Sequence, residues 1–124
     1  MRHSAILLAG GKSSRMGRDK AFLEFDGQAL WRRQIDTLRA LAPAQLMIGG
    51  PPREAWRGFE IVADVIAGAG PLACLTNALR RCTSPRLVVL AVDLPEMSAE
   101  FLRSLIAACG DEEGVVPRSP PPAF

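Results

Sequence analysis

Two glycines at the end of an apolar run are followed by a short segment that carries basic side chains. Leu7-Leu8-Ala9 leads into Gly10 and Gly11, and Arg15 and Lys20 follow closely. Glycine has no Cβ and adopts positive φ readily, so its backbone can approach a bound group closely. Successive backbone N–H groups in such a turn form a concave site for anions. These residues therefore predict a phosphate-binding segment after the first strand.

This segment lacks the spacing of two common phosphate-binding motifs. A Walker A loop requires Gly-x-x-x-x-Gly-Lys-Ser/Thr, and neither Gly10 nor Gly11 is followed by Gly-Lys at that spacing. The Gly-x-Gly-x-x-Gly fingerprint of dinucleotide-binding domains is absent from it as well. A plain turn followed by solvated basic residues is the alternative interpretation of the same glycines.

Two aspartates follow the apolar runs of other predicted strands. Asp64 comes after residues 60–63, and Asp93 comes after residues 87–92. An isolated buried carboxylate is costly, whereas Mg²⁺ binds readily to one or two carboxylates together with substrate phosphates. Asp93 is therefore predicted to bind magnesium, with a turn or cap role before Pro95 as the alternative. Asp64 could accept hydrogen bonds from a ligand or from neighbouring backbone N–H groups.

These side chains lie at the ends of strands in an alternating strand–helix pattern. Such alternation favours successive βα units and a mostly parallel sheet, whose ligands bind at the carboxyl ends of the strands. The run at 87–92 has no polar residue, which predicts burial on both faces. The predicted strands are residues 5–8, 22–25, 46–48, 60–63, 87–92 and 115–116, and the predicted helices are 30–41, 71–82 and a helix capped by Ser98 that runs to 108.

The composition is that of an ordinary globular domain. The chain has 124 residues, of which 48% are apolar and 23% charged, and a formal net charge of +2. A charge of this size indicates neither nucleic acid nor an anionic membrane as a partner. Cys74, Cys82 and Cys109 lack metal-type spacing, so they are predicted to be small buried side chains in a reducing cytoplasm.

No functional role is predicted for three further side chains whose chemistry would suit a functional site. His3, the single histidine, is predicted to be exposed before the first strand, and no Ser–His–Asp or Cys–His arrangement can be assembled. Trp31 is predicted to be a core residue because it lies on the apolar face of its helix. Trp56, between Glu54 and Arg57, fits either a core position or a base-stacking role.

The segment around Gly10 resembles the nucleotide-binding signature of the molybdenum cofactor guanylyltransferases, within the wider nucleotidyltransferase family. The resemblance implies an α/β fold, a Rossmann-like three-layer domain with a mostly parallel sheet and the nucleotide at the carboxyl ends of the strands. Gly49 departs from the family, which often has asparagine at that position. The likeness extends over residues 4–116 and includes Leu8-Ala9-Gly10-Gly11, Arg15-Met16-Gly17, Asp19-Lys20, Asp64, Gly70-Pro71-Leu72 and Asp93-Leu94-Pro95.

The resemblance implies transfer of GMP from GTP to molybdopterin with release of pyrophosphate, by a magnesium-dependent cytoplasmic enzyme. It implies GTP and molybdopterin as ligands and transient contact with molybdoenzyme-maturation proteins. A cytidylyl- or sugar-phosphate nucleotidyltransferase and a non-catalytic nucleotide-binding remnant are the alternatives. The implied nucleotide contacts are Leu8, Ala9, Gly10, Gly11, Lys20, Asp64 and Asp93, the implied catalytic residues are Arg15, Lys20 and Asp93, and the implied metal ligand is Asp93.

The same resemblance sets the expected domain organisation. Residues 1–116 are predicted to form one nucleotidyltransferase domain, which is expected to lack a C-terminal part because the family members continue further. Residues 117–124 are proline-rich, and proline cannot donate hydrogen bonds within a central sheet. They are therefore predicted to form a disordered tail, with a proline-rich partner-binding motif as the alternative.

Overall fold

The structure is a computed structural model that describes residues 2–9, 22–50, 53–62, 71–92 and 97–109. The strands are β1 (His3–Leu8), β2 (Glu24–Phe25), β3 (Gln28–Ala29), β4 (Gln45–Gly49), β5 (Glu60–Val62) and β6 (Arg86–Ala91). The helices are α1 (Leu30–Arg39), α2 (Pro71–Arg81) and α3 (Ala99–Cys109), and a short 3₁₀ turn spans Glu54–Trp56.

The main sheet contains four parallel strands in the order β5-β4-β1-β6. Along the chain, the sheet grows from β1 to β4 and β5, and then returns to add β6 on the other side of β1. Leu8 is in register with Gly49 of β4 and with Ala91 of β6. In open sheets of this kind, ligands bind at the carboxyl ends of the strands where the strand order reverses. That point lies between β1 and β6.

One face of the sheet packs against α1 and α3, and the other packs against α2. Alternate residues of a strand point to opposite faces, and β1 contributes apolar side chains to both. The buried residues on the first face include Ala5, Leu7, Ile35, Leu38 and Leu102, and those on the second face are Ile6, Met47, Val62, Cys74 and Ala78. This three-layer α/β arrangement confirms the predicted fold class.

The predicted elements agree with the observed ones over the described residues. Of the predicted strand at 22–25, only Glu24–Phe25 is a strand, β2 of the β2–β3 hairpin, and Phe22 and Leu23 precede it. Ser98 caps α3 as predicted, because its Oγ accepts a hydrogen bond from the N–H of Phe101 at 3.1 Å. The predicted strand at 115–116 and the tail at 117–124 lie outside the described residues, so they and the domain boundary at 116 stay predictions. Within the described ranges, none of the helices has the length and hydrophobicity that crossing a bilayer requires.

The expected exposure of His3 and the expected burial of Cys82 are wrong. His3 belongs to β1 and is half-buried, and its Nε2 has no hydrogen-bond partner among the described residues. This burial lowers the pKa of His3 below its usual value of 6.5, because desolvation disfavours the charged ring. Cys74 and Cys109 are buried as predicted, but Cys82 is half-buried and its Sγ lies 3.2 Å from the carbonyl oxygen of Ser84.

The predicted burial of β6 on both faces is also wrong. β1 is buried from Ser4 to Leu7, whereas in β6 only Leu90 is buried and Val89 is 38% exposed. The reason is the position of β6 at the edge of the described sheet, with α2 packed over β4 and β5 instead. An apolar sequence therefore occupies a partly uncovered position.

Candidate functional site

Backbone hydrogen bonds hold the carboxyl ends of three strands together at the point where the strand order reverses. The N–H of Ala9 donates to the carbonyl of Gly49 at 2.8 Å, and the N–H of Val92 donates to the carbonyl of Leu8 at 3.0 Å. These bonds extend the parallel pairing beyond the last residues of β1 and β6. Ala9, directly before Gly10, and Val92, directly before Asp93, therefore lie at neighbouring points on one edge of the sheet.

Of the predicted site residues, Leu8 and Ala9 belong to the described part of the chain. Leu8 is half-buried at the end of β1, and the side chain of Ala9 is buried on the α1 and α3 face. Because the N–H of Ala9 is already bonded to Gly49, a ligand contact of Ala9 would use its carbonyl oxygen. The predicted site residues that lie outside the described residues are Gly10, Gly11, Arg15, Lys20, Asp64 and Asp93.

The strand before Asp64 ends at a different part of the same edge. β5 is separated from β1 by β4, and the N–H of Gly50 donates to the carbonyl of Val62 at 3.0 Å. Since adjacent strands lie about 4.8 Å apart, the ends of β5 and β6 are separated by about 14 Å. The chain therefore approaches Asp64 and Asp93 from points that lie well apart along this edge.

An aromatic cluster anchors Phe22, which lies two residues after Lys20 in the sequence. The ring of Phe22 stacks on that of Trp56, with centroids 5.8 Å apart and planes inclined by 13°. Trp56 is fully buried and meets Trp31 edge-on at 6.3 Å. The adjoining carbonyl of Leu23 accepts a hydrogen bond from the first N–H of α1 at 2.8 Å. Trp31 is a core residue as predicted, whereas nothing in the sequence identified Trp56 as this anchor.

Gly49, at the carboxyl end of β4, has no room for a side chain. A Cβ on Gly49 would lie 2.5 Å from the Sγ of Cys74 in α2, and 3.3 Å from methyl carbons of Ile6 and Leu8. The Cys74 side chain thus occupies the space that asparagine, the residue expected from the family resemblance, would need. This packing gives the departure at Gly49 a physical cause.

We expect Gly49→Ala to lower the free energy of unfolding by about 1–3 kcal/mol, as overpacking of a core does. Cys74→Ala removes the closest atom, so the double mutant should lose less than the sum of the two single changes. Urea unfolding of all four proteins measures this coupling. Strictly additive losses would contradict the proposed clash between position 49 and the thiol.

The described residues hold no group of three or more His, Cys, Asp or Glu side chains placed to bind a metal ion. The predicted metal ligand, Asp93, is not among them. Magnesium binding at this edge therefore stays a prediction.

The model of the MobA-like NTP transferase domain family matches residues 5–122 of the chain. The chain belongs to this family. The MobA-like domain is 39% identical, over 120 residues, to a protein of Opitutus terrae named probable molybdenum cofactor guanylyltransferase. That match covers 93% of this chain and 59% of the relative, so this chain spans about three fifths of the relative's length. The family resemblance inferred from the sequence is confirmed.

Solved structures share the fold of the MobA-like domain. A nucleotidyl transferase from Methanothermobacter superposes with a TM-score of 0.73 at 19% identity, over 86% of this chain and 57% of its own. A 2-C-methyl-D-erythritol 4-phosphate cytidylyltransferase from Thermus thermophilus superposes with a TM-score of 0.68 at 25% identity, over 89% of this chain and 50% of its own. Both solved structures agree with the predicted Rossmann-like α/β fold class.

Proposed function

We propose that this MobA-like domain transfers GMP from GTP to molybdopterin and releases pyrophosphate. The observation that supports a nucleotide site is the parallel pairing of β1 with β6 where the strand order reverses. These two strands end shortly before Gly10 and Asp93 in the sequence. The name of the Opitutus terrae relative supports the choice of guanylyl group and acceptor. Folds of this class bind nucleotides at such a crevice.

The reaction joins two phosphates. A phosphate monoester has a second pKa near 6, so the terminal phosphate of molybdopterin is largely a dianion at neutral pH. One of its oxygens would attack the α-phosphorus of GTP and form a new P–O bond. The bond between that phosphorus and the α–β bridging oxygen breaks, and pyrophosphate leaves with the electron pair. This attack requires no protein base.

The protein would act by positioning and by neutralising charge. Backbone N–H groups of Gly10 and Gly11 would contact the phosphates. Lys20 would stabilise charge on the α-phosphate and the leaving group, and Arg15 would bind the β- and γ-phosphates. Asp64, which follows a strand end farther along the edge, would contact the guanine or the ribose.

Asp93 would hold Mg²⁺ together with oxygens of the triphosphate. A single carboxylate combined with substrate phosphates is a donor set that magnesium commonly takes. When bound, Mg²⁺ would neutralise part of the negative charge of the triphosphate.

Thermal unfolding with different nucleotides tests the proposal. We expect GTP with Mg²⁺ to raise the Tm of the domain, because a ligand present at about a hundred times its Kd adds about 2.7 kcal/mol to the native state. CTP and UTP should raise the Tm less, and leaving out Mg²⁺ should reduce the effect of GTP. Stabilisation by CTP without stabilisation by GTP would make the guanylyl assignment wrong and favour a cytidylyltransferase, the activity named for the Thermus thermophilus neighbour.

A second measurement separates an active enzyme from a domain that only binds nucleotide. Pyrophosphate and guanylylated pterin should appear in equal amounts when GTP, Mg²⁺ and molybdopterin are supplied together. Binding of GTP without pyrophosphate release would favour the non-catalytic alternative.

A further inference from the structure

Helix α1 places an amide side chain inside an apolar core. Gln34 is fully buried, and the other buried residues of this helix are Leu30, Trp31, Ile35 and Leu38. Transfer of an amide from water to an apolar environment is unfavourable unless hydrogen bonds compensate for it. A leucine would fill a similar volume without this cost. The amide of Gln34 therefore indicates a role other than packing.

The side chain of Gln34 reaches the carboxyl end of β6. Its Nε2 donates to the carbonyl of Ala91 at 3.4 Å and to that of Val92 at 3.5 Å. An amide nitrogen carries two hydrogens, so it can serve both acceptors. Because Ala91 is the last residue of β6, the contact lies at the edge of the sheet where the strand order reverses. Gln34 thus connects α1 to the strand end directly before Asp93.

The same strand end is also held by β1. The N–H of Val92 donates to the carbonyl of Leu8 at 3.0 Å. β1 thereby fixes the N–H of Val92, and Gln34 contacts its carbonyl. The carbonyl of Val92 and the nitrogen and Cα of Asp93 belong to one planar peptide group. A contact that orients this carbonyl therefore also sets the direction in which the chain continues to Asp93.

We propose that Gln34 is a positioning residue of the nucleotide site. Its amide orients the peptide group between Val92 and Asp93, and this directs the Asp93 carboxylate towards Mg²⁺ and the triphosphate before they bind. The inference rests on the proposed function, because Gln34 has this role only if Asp93 binds the metal–nucleotide complex. Loss of a group that orients a metal ligand commonly lowers metal affinity or activity by about 10- to 100-fold.

Gln34→Leu removes the amide and nearly preserves the volume of the side chain. Because leucine suits an apolar core, the Tm of the nucleotide-free protein should fall by no more than a few degrees. The increase in Tm that Mg²⁺ adds to that of GTP alone should require a Mg²⁺ concentration higher by about tenfold or more. The kcat for pyrophosphate release should fall by about tenfold or more, whereas the effect of GTP on the Tm in EDTA should stay the same.

Ile35→Val is the matched control. Ile35 follows Gln34 in α1 and is equally buried, but its side chain is apolar and belongs to the core cluster. Loss of one methylene group weakens the packing of α1 and lowers the Tm. The Mg²⁺ concentration that the GTP response requires should not change. A purely structural role of Gln34 would make Gln34→Leu behave like this control.

NMR of the unchanged protein tests the inference even where Gln34→Leu does not fold. The chain contains three glutamines, Gln28, Gln34 and Gln45. In protein labelled with ¹⁵N in its glutamine side chains, GTP with Mg²⁺ should shift the side-chain amide signal of Gln34. The signal of Gln45 should stay in place, because Gln45 begins β4 at the opposite edge of the sheet, where its Nε2 donates to Glu60 at 2.9 Å.

The outcomes separate this inference from the proposed function. If GTP with Mg²⁺ does not raise the Tm of the unchanged protein, the proposed function is wrong and the inference is wrong with it. If the unchanged protein responds and Gln34→Leu requires no more Mg²⁺ than Ile35→Val, the inference alone is overturned. An unshifted Gln34 signal in a protein whose Tm responds to GTP would overturn it as well.

Discussion

Trp56→Ala will lower the free energy of unfolding by about 3–5 kcal/mol, the range for removal of a large aromatic side chain from a core. Trp56 is fully buried, stacks on Phe22 at 5.8 Å and meets Trp31 edge-on at 6.3 Å. The loss is a large fraction of the stability of a small domain, so urea unfolding should show a much lower midpoint.

Trp56→Phe is the control that separates ring packing from polar interactions. The indole Nε1 has no hydrogen-bond partner among the described residues, so phenylalanine should lose no hydrogen bond to these residues and only part of the packing. We expect a loss well below that of Trp56→Ala. Equal losses for the two variants would contradict a role based on stacking, and a loss below about 1 kcal/mol for alanine would contradict the burial itself.

Lys20→Ala will reduce pyrophosphate release by about 100-fold or more, as removal of a group that stabilises transition-state charge commonly does. This expectation follows from the proposed role of Lys20 at the α-phosphate and the leaving group. The same variant should also lose most of the increase in Tm that GTP and Mg²⁺ produce, which gives a readout independent of turnover.

Lys12→Ala is the matched control, because Lys12 is a lysine of the same segment to which no role is assigned. Its rate and its response to GTP should stay close to those of the unchanged protein. A Lys20→Ala protein that turns over at the original rate removes Lys20 from the mechanism. An equal fall in the rate of pyrophosphate release in Lys20→Ala and Lys12→Ala would indicate a general effect of charge in the segment.

Local periodicity was sufficient to predict most elements of the fold. The helices at 30–41 and 71–82 and the capped helix after Ser98 are determined by spacing and by cap residues, which act over a few positions. The strand order was not available from such signals. Pairing of β1 with β6 joins residues as distant as His3 and Arg86, and it depends on how the helices pack on each face.

Burial at particular positions was harder to predict, because it depends on which element lies opposite. The apolar run of β6 predicted burial, yet α2 packs over β4 and β5 and leaves Val89 of β6 exposed. Trp56 lies among charged neighbours and is still fully buried, because aromatic residues from two other segments surround it. Neither outcome can be deduced from the residues adjacent in the chain.

For the candidate site, the sequence predicted residue types and the structure supplied the arrangement of the strands that carry them. The motif identified Gly10, Lys20 and Asp93, whose roles stay predictions. The described strands add that the chain approaches Gly10 and Asp93 from neighbouring points, and approaches Asp64 from farther away. The crowding at Gly49 could not be predicted, because it arises from Cys74 on a distant helix.

That crowding constrains how such a chain can evolve. A larger residue at position 49 requires the Sγ of Cys74 to move or to be replaced by a smaller group. The residues tolerated at position 49 are therefore expected to depend on the residue at position 74. Homologous lineages that carry asparagine at position 49 should accordingly carry alanine or glycine at position 74, or a displaced second helix.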